Sequence, residues 1–188
     1  MIEKNNNLQA AGSGLPKYEK FFVQNILLPL CRVFLGWKSS KRWFDYELAT
    51  IRKMIENLSR DALEKRVLIN HFFGIEDDTR DWSIALVIEH ITVVNAGIIE
   101  VIKTLSKEEA HLSEVSIQAV KPDNRGLTLN HLEKIVKEYE SFIPQTRNSK
   151  MTKSHPWFTG LNNRDWHTFL AIHTWVHKRQ IKAILKQL

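Results

Sequence analysis

Four stretches of the chain repeat apolar residues at three- and four-residue spacing, the signature of amphipathic helices. Phe44, Leu48, Ile51, Ile55 and Leu58 form the first stripe and predict a helix from about Arg42 to Leu58, with Trp43, Glu47, Thr50 and Met54 as a line beside it. The second stretch, Arg80 to Leu105, is the most apolar and sends Ser83, Leu86, Val87, His90, Val94, Gly97, Val101 and Leu105 to one side. Its Val, Ile and Thr content would also suit a strand over Ile84 to Val94, but its length and 3.6-residue period favour helix. Leu129, Leu132, Val136, Tyr139 and Ile143 line a third helix, Leu129 to Phe142, ended by Pro144. The fourth runs from an Asn162-x-x-Asp165 cap to the C-terminus and aligns Trp166, Phe169, Leu170, His173, His177, Ile181 and Ile184. Four long helices predict an all-α bundle.

The connecting segments are shorter or irregular. Residues 1–17 have the polar, glycine-containing character of a disordered arm. Residues 18–188 make one helical-bundle domain, with 18–40 as an N-terminal extension. Within the extension a helix over 18–36 is expected to bend at Pro29 and stop at Gly36, leaving Lys38-Ser39-Ser40-Lys41 as a loop. A short helix is expected over Asp61 to Leu68, and the acidic run Gly74 to Thr79 suits the start of the next helix. Ser106-Lys107-Glu108-Glu109 has capping-box form for a short turn, and Pro122 to Gly126 has turn chemistry.

Composition narrows the function classes. Apolar residues make up 43 % and charged residues 26 % of the 188, an ordinary globular balance. The net charge of +6 permits nucleic-acid binding, but the cations are scattered and no recognition motif accompanies them, so no nucleic acid is expected. The single cysteine, Cys31, allows no internal disulfide and fits a reducing, cytoplasmic setting. Its apolar surroundings predict a packed thiol rather than a nucleophile. The N-terminus lacks signal-peptide form. Phe21 to Trp37 is apolar but interrupted and shorter than the ~20 residues of a bilayer span, so no transmembrane segment is expected. A core, docking or weakly interfacial helix remains there.

The chemistry rests on histidine. His173 and His177 are four apart and stack on one face of the last helix, and His90 sits mid-helix on another inward face. Buried imidazoles need either hydrogen-bond partners or a metal. Either would satisfy these three, and a catalytic zinc site commonly has three protein ligands and one open position. Of the other histidines, His167 points away from the pair, His131 lies off its stripe, and His71, His111 and His155 fall in loops, with His155-Pro156-Trp157-Phe158 placed to pack or to line a pocket mouth. The zinc-protease motif, a nucleophile elbow, a P-loop and a dinucleotide fingerprint are all missing.

The order of these elements carries a resemblance. Trp82-Ser83-Ile84-Ala85-Leu86-Val87-Ile88-Glu89-His90-Ile91, then a third helix, then His155-Pro156-Trp157-Phe158-Thr159-Gly160-Leu161, Trp166 and His173-x-x-x-His177-x-x-Gln180-Ile181 resemble the DinB-like superfamily over about residues 42–188. The resemblance implies a four-helix bundle in which His90, His173 and His177 bind a divalent metal, zinc or nickel. It implies metal-assisted activation of water or a low-molecular-weight thiol against a small electrophile, as a hydrolase or S-transferase, and it implies homodimers. The alternative is a non-catalytic metal-binding stress-response or interaction protein. No catalytic residue is assigned, and the candidates for a carboxylate supporting the ligands are Glu47, next to the inward stripe of the first long helix, and Glu89, beside His90.

Overall fold

The computed structural model describes residues 8–10, 14–114, 120–123, 125–143 and 147–188. Residues 1–7 and 11–13 of the expected arm, Asn124 of the expected turn and the stop at Pro144 lie outside them. The protein is all-α, and no strand occurs among the described residues beyond one isolated bridge between Lys153 and Leu161. In chain order the helices are α1 (Lys17–Phe22), a π-helical turn (Val23–Leu27), α2 (Leu28–Phe34), α3 (Trp37–Ile55), α4 (Arg60–Glu64), a 3-10 turn (Asp77–Thr79), α5 (Ile84–Ser106), α6 (Leu129–Glu140) and α7 (Asn163–Leu185).

α7 is the hub. It packs against α3 and α5, and α5 packs in turn against α6. The stripes meet there: Phe44, Ile51, Ile84, Ile102, Leu170, Ile181 and Ile184 are fully enclosed. Burial of one such side chain contributes about 1.5–3 kcal/mol. Arg52 with Glu133 and Lys41 with Glu140 join α3 to α6 at the surface. α5 is long and apolar enough to cross a membrane by length and composition, and 67 % of its apolar window is buried inside the protein.

Helix starts differ from expectation where small polar residues turn out to be caps. α3 begins at Trp37, five residues before Arg42, so Lys38 to Lys41 are helical rather than a loop. The cause is Ser39, whose hydroxyl accepts from the Gly36 amide at 2.8 Å. Ser40 then turns inward and shares a 2.9 Å hydrogen bond with Thr168 of α7. Ser83, not the acidic run, caps α5, and that run forms its own 3-10 turn. The expected short turn does follow Ser106, at Lys107 and Glu108. Ser106 itself ends α5, and its hydroxyl accepts from Asn163 Nδ2 at 2.8 Å. The predicted Asp61–Leu68 helix is confined to Arg60–Glu64, capped by Ser59.

The N-terminal extension stays helical through Pro29. The irregularity lies one turn earlier, in the π-turn Val23–Leu27, which runs without a break into α2 with Pro29 as its second residue. Arg32 grips Asp165 at 2.8 and 2.9 Å, and Arg164 donates to the carbonyls of Arg32 and Leu35. The extension is thereby docked on the start of α7. Glu19 is its only carboxylate and is fully buried, accepting from the Gly74 amide at 2.7 Å. Ahead of α1, Leu15 enters the core, and Gly14 has φ +74° with Trp157 so near that a Cβ would lie 2.9 Å from its indole nitrogen.

Candidate metal centre

Helix period brings the three histidines together. His90 lies near the middle of α5, and His173 and His177 lie one turn apart on α7, the helix packed against it. The three side chains can place one ring nitrogen each within 4.8 Å of one another, an arrangement compatible with a metal site. His90 Nε2 and His173 Nε2 are 3.3 Å apart. That is close to the tetrahedral edge of about 3.3–3.4 Å implied by zinc–nitrogen bonds of about 2.0–2.1 Å.

The surrounding hydrogen bonds decide which ring nitrogen carries the proton. His90 Nδ1 faces the Val120 carbonyl at 2.8 Å, and a carbonyl can only accept, so Nδ1 donates. His177 Nδ1 faces Gln180 Oε1 at 2.7 Å. The orientation of that amide is fixed because Gln180 Nε2 donates to the Thr79 carbonyl at 2.7 Å. His173 Nδ1 faces Asn95 Oδ1 at 3.1 Å. Asn95 Nδ2 in turn donates to Thr174 Oγ1, whose own proton goes to the Leu170 carbonyl. All three Nδ1 atoms are therefore donors, and each neutral ring turns a bare Nε2 lone pair inward.

Burial keeps the rings neutral. His90 and His173 are held well below the ordinary histidine range by desolvation, then by the neighbouring imidazoles. His177 is lowered to about 4, again by desolvation, with Gln180 opposing. Three inward lone pairs repel one another unless a cation or a hydrogen-bond donor lies between them.

The trio opens on a cavity of about 330 Å³ with a largely apolar and aromatic wall, including Trp157, Phe169 and Trp175. His155 and His111 line the same cavity from the loops. Desolvation lowers His155 to about 3, and the ring stacks on Phe158 with centroids 5.2 Å apart. The packing and pocket-mouth roles considered for His155 to Phe158 are thus one role. Glu76 also faces the cavity and is paired with Lys121 at 2.7 Å.

Glu47 and Glu89 are occupied elsewhere. Glu47 accepts from Trp43 and pairs with Lys178 at 2.6 Å, and Glu89 accepts from the Asp123 amide at 2.7 Å. The imidazoles are oriented instead by two side-chain amides and a backbone carbonyl. Asn95 was detectable as a polar residue within an apolar helix, and Gln180 by its three-residue offset from His177. Val120 contributes only its backbone and leaves no trace in the residue letters. Of the remaining histidines, His167 is buried against Trp37 and Tyr139, and His131 accepts from the Thr128 amide at the start of α6. Cys31 is a free, buried thiol, as its surroundings predict. No family model, curated protein or solved structure matches the chain.

Proposed function

We propose that the chain is a DinB-like four-helix-bundle metalloenzyme in which His90, His173 and His177 hold one divalent ion. The observation that carries this reading is that each Nδ1 of the trio has an acceptor outside it, which leaves the three Nε2 atoms without a protein donor in a cluster whose candidate ligand atoms lie within 4.8 Å of one another. Proteins commonly orient metal-binding imidazoles by a carboxylate, backbone carbonyl or water on the far nitrogen, and here the amide oxygens of Asn95 and Gln180 accept in that position beside the Val120 carbonyl. An all-imidazole set suits zinc or nickel. When bound, the ion would lower the pKa of water or a thiol and so supply a nucleophile at neutral pH.

The chain's own residues do the rest. Val120, Asn95 and Gln180 fix the ring planes. Trp157, Phe169 and Trp175 exclude water around a small electrophile, and a cavity of about 330 Å³ sets its size. We assign the reaction as hydrolysis or thiol S-transfer.

The test compares zinc- or nickel-loaded protein with apo-protein on a panel of epoxides, alkyl halides and activated esters, with and without a low-molecular-weight thiol. Thiol consumption or product release that needs the metal and disappears in His177→Ala is the expected result. Metal that binds and raises the melting temperature, with no turnover of any electrophile, would reduce the site to a structural one.

A further inference from the structure

The extension that docks on α7 has a second face with no counterpart in the site chemistry. Glu19, Val23, Leu28 and Cys31 turn inward. On the outside, Tyr18, Phe22, Ile26, Leu30 and Phe34 follow one another at four-residue spacing, with Phe21 and Val33 beside them. Phe21 is 65 % exposed, Val33 74 % and Phe34 76 %. Seven of the ten large hydrophobic residues exposed among the described residues fall in this one segment. An exposed apolar concentration of that kind marks an interaction surface.

Charge selects the occupant. Residues 17–42 carry six cations (Lys17, Lys20, Arg32, Lys38, Lys41 and Arg42) against one carboxylate, Glu19, which is fully buried. Lys17, Lys20 and Arg32 lie on α1 and α2 themselves, and Lys38, Lys41 and Arg42 follow at the start of α3. Arg32 is paired with Asp165, and Lys41 with Asp45 and Glu140. Lys17, Lys38 and Arg42 are exposed and form no ion pair among the described residues. A second copy on the same face would oppose like charges with no exposed carboxylate in the segment to pair with them. An anionic lipid surface offers both the apolar phase and the counter-charge.

We propose that α1, the π-turn and α2 form an interfacial anchor that seats the protein on anionic membranes. The segment is about 27 Å of continuous helical chain lying along the protein. Phenylalanines and a tyrosine enter the acyl boundary, while the cations meet the headgroups. The same segment walls the cavity from inside through Val23 and Leu27, so docking places the cavity's outer wall against the bilayer.

The experiment is co-sedimentation of the full chain with vesicles of phosphatidylcholine alone or mixed equally with phosphatidylglycerol. Binding is expected to the mixed vesicles only, and to fall as salt rises. The double variant Phe21→Asp with Phe34→Asp changes two exposed side chains, so its circular dichroism should match wild type while bound protein falls at least about tenfold. Lys17→Gln should lower binding about fivefold. No binding to mixed vesicles, or equal binding by the double variant, overturns the proposal. So does a wild-type dimer that the double variant converts to monomer without any vesicle binding, which would make the face a self-association surface.

Discussion

His167 and His177 lie on the same helix, ten residues apart, both shielded from water and both neutral near pH 7, yet their ring nitrogens are used in opposite ways. His167 donates from Nε2 to the Trp37 carbonyl at 3.0 Å and accepts at Nδ1 from the Tyr139 hydroxyl at 2.9 Å. It also stacks on Trp37, with ring centroids 4.7 Å apart. Both of its nitrogens are satisfied by protein, and the ring is a piece of core. His177 donates from Nδ1 to Gln180 and turns Nε2 towards two other imidazoles that are oriented in the same way. Burial and depressed basicity are common to both rings. What separates a structural histidine from a candidate ligand is whether the second nitrogen has a donor.

Metal should act on the two rings differently. Zinc or nickel should raise the melting temperature of wild type, and at a hundredfold excess over Kd the gain is about 2.7 kcal/mol. His173→Ala should abolish the rise, with affinity down at least about a thousandfold. His167→Phe should melt earlier than wild type, because it leaves the Tyr139 hydroxyl and the Trp37 carbonyl unpaired, but should keep the metal-induced rise in full.

Acid comes next. His167 is lowered to about 4 by desolvation, against about 6.5 in an unfolded chain. The unfolded state therefore takes up this proton first as pH falls. The full stability is present above about pH 6.5 and falls on the way down to about pH 4, by which point the loss amounts to about 3 kcal/mol. Urea unfolding of metal-free protein across that range should show the slope, and His167→Phe should flatten its own share.

Smaller effects test the outer partners. Asn95→Leu and Gln180→Leu should each weaken metal binding about 10- to 100-fold while leaving the fold intact. A loss as complete as that of His173→Ala would mean that these amides support the helices rather than the rings. Ser40→Ala, which removes the buried bond to Thr168, should cost about 1 kcal/mol in urea unfolding and change no metal affinity.

The parts of the molecule legible in the sequence are those set by period. The stripes of α3, α5, α6 and α7 located the long helices, and the same 3.6-residue geometry placed His90 and the His173–His177 pair on inward faces. The all-α class followed from it. Less legible were features in which a residue acts against its usual type. Ser39 and Ser40 look like loop residues and are the first turn of α3, because one caps a backbone amide and the other finds a buried partner. The bend expected at Pro29 became a π-turn before it. The orientation of the imidazoles was hidden for a different reason. Val120 acts through its backbone, and Asn95 and Gln180 are set by a chain of donors that only three-dimensional contacts reveal.

The proposed metal centre requires three imidazoles, each fixed at Nδ1 by the surrounding protein, to present their Nε2 atoms to one divalent ion. Calorimetric titration of metal-free protein with zinc addresses it directly. Wild type should bind one zinc per chain and His90→Ala none, with circular dichroism of the two proteins alike. Failure of wild type to bind zinc or nickel stoichiometrically, or equal binding by His90→Ala, would contradict it.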